Sequence, residues 1–345
     1  MKIAIVFGGQ SFEHEISIVS AIALKDIIKE NELQFIFLDA GREFYLIPES
    51  EMKSKLFSSK DYKKYPNLFL KNGGFYQKGL LKEKKVEADV VLNLVHGGDG
   101  EDGKLASLFE FFSIPYIGPR IEGSVISFNK LFTKMFAKEK GVKILPYQLI
   151  SKNGERKIEF DLPVIIKPLR LGSSIGVSVV KDEKGLDFAL DVAFEFDEEV
   201  LVEPFIEGVK EYNLAGCKGE DFLFSMVEEP QKAEFLDFEK KYLDFARTKQ
   251  VLKADIAQSL EDELKKVFKK IYLPLFEGAL IRCDFFVIDN EVYLNEINPI
   301  PGSMANYLFE DFENVILNLA QNLPKQKNIE VEYRYIHTIQ KAKGK

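Results

Sequence analysis

Arg282-Cys283-Asp284, followed by Glu296-Ile297-Asn298-Pro299-Ile300-Pro301-Gly302, is the stretch on which the reading of this chain turns. Two short apolar runs, 279–288 and 292–297, flank the turn pair Asp289-Asn290. Alternating apolar residues around such a turn predict a β-hairpin. Pairing of the two strands would let Asp284, Glu296 and Asn298 converge on one hard cation. Oxygen donors without a Cys or His cluster suit Mg²⁺ rather than zinc. Arg282 adds a fixed positive fork for a phosphate or a developing oxyanion. A metal and an arginine on one sheet surface are equipment for handling ATP phosphates. Solvated strand ends explain any one of these residues singly. They do not explain all four followed by a Pro-x-Pro-Gly run.

Working outward, the length of 345 residues predicts two or three domains. An apolar fraction of 46% with mixed charge is that of an ordinary globular protein. The net charge of −8 argues against nucleic acid or an anionic membrane as the main partner. The basic runs at 82–85 and at the C-terminus read as solvated surface. Cys217 and Cys283, without a CxxC, imply a reducing compartment and core packing rather than a disulfide framework. Residues 1–7 lead straight into a strand and a Gly-Gly turn, so no signal peptide is expected. No apolar run reaches the roughly 18 residues of a membrane span. A cytoplasmic protein is expected.

The first third alternates strands (2–7, 35–38, 88–94, 115–117) with helices (16–30, 105–112). This pattern predicts an α/β fold with a doubly wound parallel sheet. Residues 42–81, rich in Lys, Ser and Tyr, read as an excursion from it with weak hairpin signals. A helix over 124–140 opens a second region, with strands 147–150, 163–167, 177–180 and 200–204 and a helix over 184–194. A third region has strands 212–216 and 222–227, a polar aperiodic loop 228–253, a helix over 260–276, the Arg282 hairpin, and a helix near 312–322. The expected domains are an N-terminal substrate domain (1–122), a central lobe (123–204), a C-terminal lobe with the metal-binding hairpin (205–325), and a polar, basic tail (326–345) of no assigned role.

Three loops could share one site. Gly8-Gly9-Gln10-Ser11-Phe12-Glu13-His14-Glu15 leaves the carboxyl end of the first strand, the edge where open α/β sheets bind ligands. Glu13 or Glu15 could hold a ligand ammonium, or serve as a helix-start carboxylate. His96-Gly97-Gly98-Asp99-Gly100-Glu101-Asp102-Gly103 has four glycines in eight residues, which permits close backbone approach to a ligand. His96 inside that loop is a site candidate rather than a packing histidine. Lys167-Pro168-Leu169-Arg170-Leu171-Gly172-Ser173-Ser174-Ile175-Gly176-Val177 ends a strand in a lysine and continues into a Gly/Ser tip that could close over phosphates through backbone donors. It lacks the Walker spacing and the following helix.

Together these motifs, with Glu239-Lys240-Lys241-Tyr242-Leu243, resemble the D-alanine–D-alanine ligase family of the ATP-grasp superfamily, over about residues 2–323. The resemblance implies an N-terminal domain followed by a two-lobed ATP-grasp domain. It implies that Lys130 and Lys167 meet ATP phosphates, with Lys241 reaching them from a mobile loop. Glu203, Pro204, Phe205 and Ile206 would form the adenine hinge, and Glu211 would take the ribose hydroxyls. Asp284, Glu296 and Asn298 would hold two Mg²⁺ ions, with Mn²⁺ able to substitute. Glu13 would hold the ammonium of the first D-alanine, with Ser173 and Tyr242 as its hydrogen-bond partners, and His96 would lie near that substrate's carboxylate. Arg282 and the Gly302 N–H would bind the tetrahedral oxyanion and the second substrate's carboxylate, with Tyr307 and Leu308 lining that subsite. A homodimer is expected.

The implied chemistry is consistent with the residues. A carboxylate is a poor acyl donor until ATP converts it into an acyl phosphate that an amine can attack. Lysines and metal ions offset charge on the transferring phosphoryl, and a closed loop keeps water away. Three positions depart from the family pattern. Pro204 replaces a common lysine and loses its N–H, Tyr307 stands where a serine is frequent, and Ser107 replaces a glycine. The alternatives are a D-alanine–D-lactate ligase, which Tyr242 argues against, another ATP-grasp carboxylate–amine ligase, or an ATP-binding regulatory module. The last predicts loss of the Arg282, Asp284, Glu296 and Asn298 set, and all four are present.

Overall fold

A computed structural model describes residues 1–79, 82–230, 253–325 and 329–342. The central strand of the first sheet, β1 (Lys2–Gly8), is buried along nearly its whole length, as its unbroken apolar run requires. It pairs in parallel with β2 (Glu32–Leu38) and β7 (Val90–Asn93), and β7 pairs in parallel with β8 (Tyr116–Ile117). The excursion over 42–81 turns out to extend this same sheet. β3 (Phe44–Ile47), β4 (Asn67–Lys71), β5 (Gly74–Gln77) and β6 (Lys84–Lys85) add on antiparallel beyond β2, giving the order β6-β5-β4-β3-β2-β1-β7-β8. Phe44, Leu68 and Phe75 supply the apolar face that joins them to the core, together with Ile36 and Leu38.

Two further sheets are antiparallel. One has the order β11-β10-β12-β9, from Ser178–Val180, Val164–Pro168, Glu199–Pro204 and Gln148–Ser151, with the helix Leu186–Phe194 packed on it. The other has the order β14-β13-β15-β16, from Phe222–Phe224, Lys210–Lys218, Ile281–Ile288 and Glu291–Asn298, backed by the helix Gln258–Tyr272. That helix stops four residues short of the expected end because Leu273-Pro274 follows, and the residue before a proline is pushed out of the α region. Both cysteines are buried and unpaired. Residues 300–323 return to the first sheet, where Ile300, Met304, Ala305, Leu308 and Phe312 share a core with Ile5, Phe7 and Leu24.

The single helix expected over 124–140 is two helices, Ile121–Phe128 and Lys130–Glu139, broken at Asn129. Asn129 is extended (φ −97°, ψ 110°), and its side-chain oxygen accepts from the Leu131 and Phe132 N–H groups at 3.0 and 3.3 Å. An N-cap of this kind is worth about 1 kcal/mol. Asn129→Ala should therefore lower the unfolding free energy by about that amount; an unchanged denaturation midpoint would show the cap to be idle. The break matters for the site because it re-aims the second helix, which starts at Lys130. Helix Ile336–Ala342 is exposed. Among the described residues no helix is long and apolar enough to cross a membrane.

Candidate active site

The loop after β1 turns on Gly8 and Gly9, at φ +102° and +88°. A Cβ on Gly8 would fall 2.2 Å from the Leu38 carbonyl oxygen, so only glycine fits there. The loop delivers Glu13 to the start of the helix His14–Ile27, where its side chain is buried. The Ser173 hydroxyl donates to Glu13 Oε1. Two glycines make room for the carboxylate: a Cβ on Gly97 would lie 2.5 Å from Oε2, and one on Gly172 would lie 3.1 Å from Oε1. Oε2 is buried and accepts no hydrogen bond from the described residues. Burial, reinforced by the charge of Glu101, pushes the Glu13 pKa up to about 7 against the pull of Ser173, His96 and Lys130.

His96 lies beside it, also buried, and burial pushes its pKa down. Its Nε2 is 3.2 Å from Ser20 Oγ, and Nδ1 is 3.7 Å from Glu101 Oε1. Burial pushes Glu101 up to about 8, with the Gly97 N–H opposing and Glu296 repelling. Ser20 Oγ also accepts from the Ser303 N–H at 3.1 Å. Ser303, Met304 and Ala305 are consecutive left-handed residues at φ +47°, +55° and +50°. Each costs roughly 1–2 kcal/mol, and burial of Met304 and Ala305 against the first sheet offsets this. Gly302 opens that turn and Tyr307 sits near its end, beside Arg282. Leu308 has its side chain in the core, and its carbonyl accepts from the Met226 N–H at 3.1 Å.

Lys130, first residue of its helix, reaches the Leu171 carbonyl at 2.5 Å and stands 3.9 Å from Glu296 Oε1. Burial and the nearby Lys167 lower its pKa against the pull of Glu296. Lys167, at the end of β10, donates to Glu203 Oε2 at 2.8 Å and to Asn295 Oδ1 at 3.4 Å, which ties the two antiparallel sheets together. Burial works to raise the Glu203 pKa, but Lys167 and Lys134 overcome it and hold the carboxyl at about 2. Of the hinge residues, Pro204 ends β12, and the Phe205 N–H is taken by the Pro163 carbonyl at 2.9 Å. Glu211 lies on β13 opposite Phe286, and its charge reaches Lys167.

The hairpin forms at the predicted turn, with one more residue on β16 than strict alternation allows. Arg282 faces Asn298 and Asp284 faces Glu296, with a register shift after Asp284. Residues two apart share a face, so all four side chains rise from one side of the ladder. The Arg282 guanidinium grips Asp284 through two of its three nitrogens, Nε and Nη2, at 2.7 and 2.9 Å, and Asn298 Nδ2 donates to the same carboxylate at 3.0 Å. Among the described residues no cluster of three or more His, Cys, Asp and Glu side chains is arranged to hold a metal. The donors that are present, two opposed carboxylates and an amide, are hard oxygen ligands and fit a divalent cation such as Mg²⁺ in chemistry.

One cleft therefore gathers Glu13 and His96 from the first sheet, Ser173 and Lys167 from the second, Lys130 from the capped helix, and Glu296 from the hairpin. Lys241 and Tyr242 lie outside the described residues, as does most of the 228–253 loop. Three site residues went unassigned from sequence: Glu101, Ser20 and Lys134. Lys134 could have been found, because it stands one helical turn from Lys130, and i, i+4 side chains share a face. Glu101 belongs to the His96 loop but has no local feature to separate it from Asp99 and Asp102. Ser20 had none, since its partner Ser303 is 283 residues away.

A mixed eight-stranded sheet ahead of two antiparallel four-stranded sheets, joined by lysines and acidic residues, is the architecture of the ATP-grasp ligases. The family description "D-ala D-ala ligase N-terminus" matches residues 2–119, and "D-ala D-ala ligase C-terminus" matches residues 136–312. The D-alanine--D-alanine ligase of Sulfurovum sp. (strain NBC37-1) is 63% identical over 345 residues, all of both chains. That of Wolinella succinogenes is 64% identical over 346 residues, again all of both chains. The crystal structure of D-Alanine-D-Alanine Ligase from Helicobacter pylori is 55% identical, covers 95% of this chain and 100% of its own, and has a TM-score of 0.84. The chain belongs to the D-alanine–D-alanine ligase family.

Proposed function

We propose that the enzyme joins two D-alanines at the expense of ATP, through an acyl phosphate, releasing ADP and phosphate and supplying D-alanyl-D-alanine for peptidoglycan and so for the cell wall. The observation that carries this reading is the buried, under-satisfied Glu13 carboxylate in the same cleft as Lys130, Lys167 and the Arg282 hairpin. It offers an ammonium site within reach of a phosphate site. Glu13 takes the first D-alanine's ammonium, with Ser173 fixing the carboxylate, and His96 lies near that substrate's carboxylate. Lys130 and Lys167 offset phosphate charge, with Lys241 as a third lysine from the loop that Tyr242 helps to close. The Pro204 carbonyl and Ile206 N–H hold adenine, and Glu211 takes the ribose. Arg282 and the Gly302 N–H face the tetrahedral oxyanion, with Tyr307 and Leu308 bordering the second subsite. Asp284, Glu296 and Asn298 would hold Mg²⁺, or Mn²⁺ in its place, and the metal would supply Lewis-acid charge stabilisation for phosphoryl transfer.

The proposed units are a substrate domain over 1–122 and two ATP-grasp lobes over 123–204 and 205–325. A cytoplasmic homodimer is the proposed form. Exposed Phe111, Phe132 and Met135, on two helices of the first and central units, support a partner surface.

Coupled assays with ATP and a panel of D- and L-amino acids and D-lactate test the reaction. D-alanine should give ADP and phosphate; AMP with pyrophosphate, or a preference for L-alanine, would overturn it. Glu13 also predicts a pH dependence. Its folded pKa of about 7 lies above the ordinary 4.5, so between those values the folded chain holds a proton that the unfolded chain has lost. Glu13 then makes the unliganded fold less stable as pH rises through that window. The ionised form is the one that binds an ammonium, so the KM for the first D-alanine should fall as pH rises through about 7 and then level off. Glu13→Gln should raise that KM and flatten the profile. A wild-type profile that is flat between pH 6 and 8 would remove Glu13 from the ammonium site.

A further inference from the structure

Lys134 lies one turn beyond Lys130 on the helix Lys130–Glu139, and its side chain is 3% exposed. Its ammonium stands 2.5 Å from Glu203 Oε1, while Lys167 holds the other oxygen, Oε2, at 2.8 Å. The Glu203 side chain is 1% exposed, so it has no exit to water. The Tyr147 ring lies 5.7 Å from the Lys134 ammonium, and the charges of Lys167 and Lys130 oppose that of the ammonium. One buried carboxylate is thus shared between a lysine locked in the interior and a lysine at the cleft, 14% exposed and in contact with Asn295 beside Glu296.

Charge counting shows what this arrangement does. A Glu203–Lys167 pair alone would be neutral, and the carboxylate would cancel most of the field that Lys167 projects into the cleft. Two lysines on one carboxylate leave the cluster at +1. Because Lys134 is sealed behind Glu203, the free end of that charge is at Lys167. We propose that Lys134 is a positioning residue for nucleotide binding: it neutralises Glu203 from behind, so that Lys167 keeps both its place and its net charge for the polyphosphate. The depressed Glu203 pKa agrees, since both lysines act to hold it ionised. Burial pushes the Lys134 pKa down, against the pull of Glu203. Lys134 therefore owes its charge to this one partner and has no role on the surface. The inference rests on the reading of Lys167 as a phosphate ligand.

The test is nucleotide affinity by calorimetry on the full chain, with ATP, ADP and adenosine as probes and the KM for D-alanine measured alongside. Lys134→Met takes the cluster to neutral. It should weaken ATP and ADP about tenfold or more, and leave adenosine and the D-alanine KM within about twofold. Adding Glu203→Gln restores the cluster to +1 and should return the ratio of ATP to adenosine affinity, in which any change at the adenine hinge cancels, to within about threefold of wild type. Lys134→Arg, which keeps the charge, should fall between. A purely structural ion pair would weaken ATP and adenosine together, and that result overturns the inference. So does a folded double variant whose ratio of ATP to adenosine affinity stays about tenfold below wild type. If Lys134→Met does not fold, the double variant still decides. Lys167→Met separates the two layers. Unchanged ATP affinity there sinks the phosphate reading itself, whereas a loss at Lys167 with none at Lys134 sinks only the inference.

Discussion

Arg282→Lys should lower kcat for dipeptide formation by about 10²–10³-fold, the usual cost of losing one oxyanion donor. The guanidinium, on a half-buried side chain, spans both oxygens of Asp284, at 2.7 and 2.9 Å, so its plane is fixed before any substrate arrives. Its remaining N–H groups are thereby aimed rather than free. A lysine carries the same charge as a single rotatable point and cannot both bridge Asp284 and face a second oxygen. Because the charge is kept, Asp284 is not left as an uncompensated buried carboxylate, and the fold should survive. The expected signature is a fall in kcat with the KM for ATP changed by only a few-fold, since the group acts on the transition state more than on bound nucleotide. Single-turnover rates with circular dichroism as a fold control are the measurement. A kcat within tenfold of wild type would take Arg282 out of the oxyanion site.

Glu296→Gln and Asp284→Asn should each reduce turnover by about 10³-fold or more, even at saturating Mg²⁺ or Mn²⁺. Stabilisation of several kcal/mol is expected from a metal at the phosphoryl group, and each 1.36 kcal/mol is a factor of ten. Both substitutions are nearly isosteric, so packing is not the variable. Glu296 has a partly exposed side chain whose nearest cation is Lys130, at 3.9 Å, and its replacement should barely move stability. Asp284 differs: Arg282 and Asn298 both depend on its oxygens, so Asp284→Asn should also cost some stability through the Arg282 contact. Metal titration of activity in each variant is the check. Near wild-type rates in either one at high metal would show that the hairpin is not the cation site.

The alternation within 279–297 and the Asp289-Asn290 turn were enough to specify the hairpin. Both turn residues adopt positive φ, +50° and +61°, the conformation that two-residue hairpin turns demand and that Asn and Asp tolerate. Side chains alternate with a period of two, so pairing from that turn alone would leave Asp284 and Glu296 on opposite faces; the register shift between Asp284 and Phe285 is what brings Arg282, Asp284, Glu296 and Asn298 to one face. The parallel strands were legible for a similar reason, because a strand buried on both sides must be apolar throughout. Lys130 and Lys167 were assigned from the family resemblance. Glu13 and His96 could be nominated because Gly-rich turns at the ends of such strands mark the binding edge of the sheet.

Tertiary structure decided the rest. Residues 42–81 join the first sheet because Phe44, Leu68 and Phe75 find a core supplied by strands distant in sequence; their own short, half-exposed strands carry only weak hairpin signals. The helix break at Asn129 is set by one side chain capping two N–H groups, a choice that the apolar periodicity on either side conceals. Glu13 acquires its raised pKa from burial, reinforced by Glu101 88 positions away, and its hydroxyl partner from Ser173, 160 away. Lys134 has the composition of a solvent-facing lysine on an amphipathic helix. Only the approach of β12, bringing Glu203 to 2.5 Å, turns it into a buried charge. Local sequence specifies periodicity and turns, because those depend on neighbours along the chain. Burial, and the electrostatics that burial strengthens, depend on which surfaces meet, and that is settled only when the sheets pack.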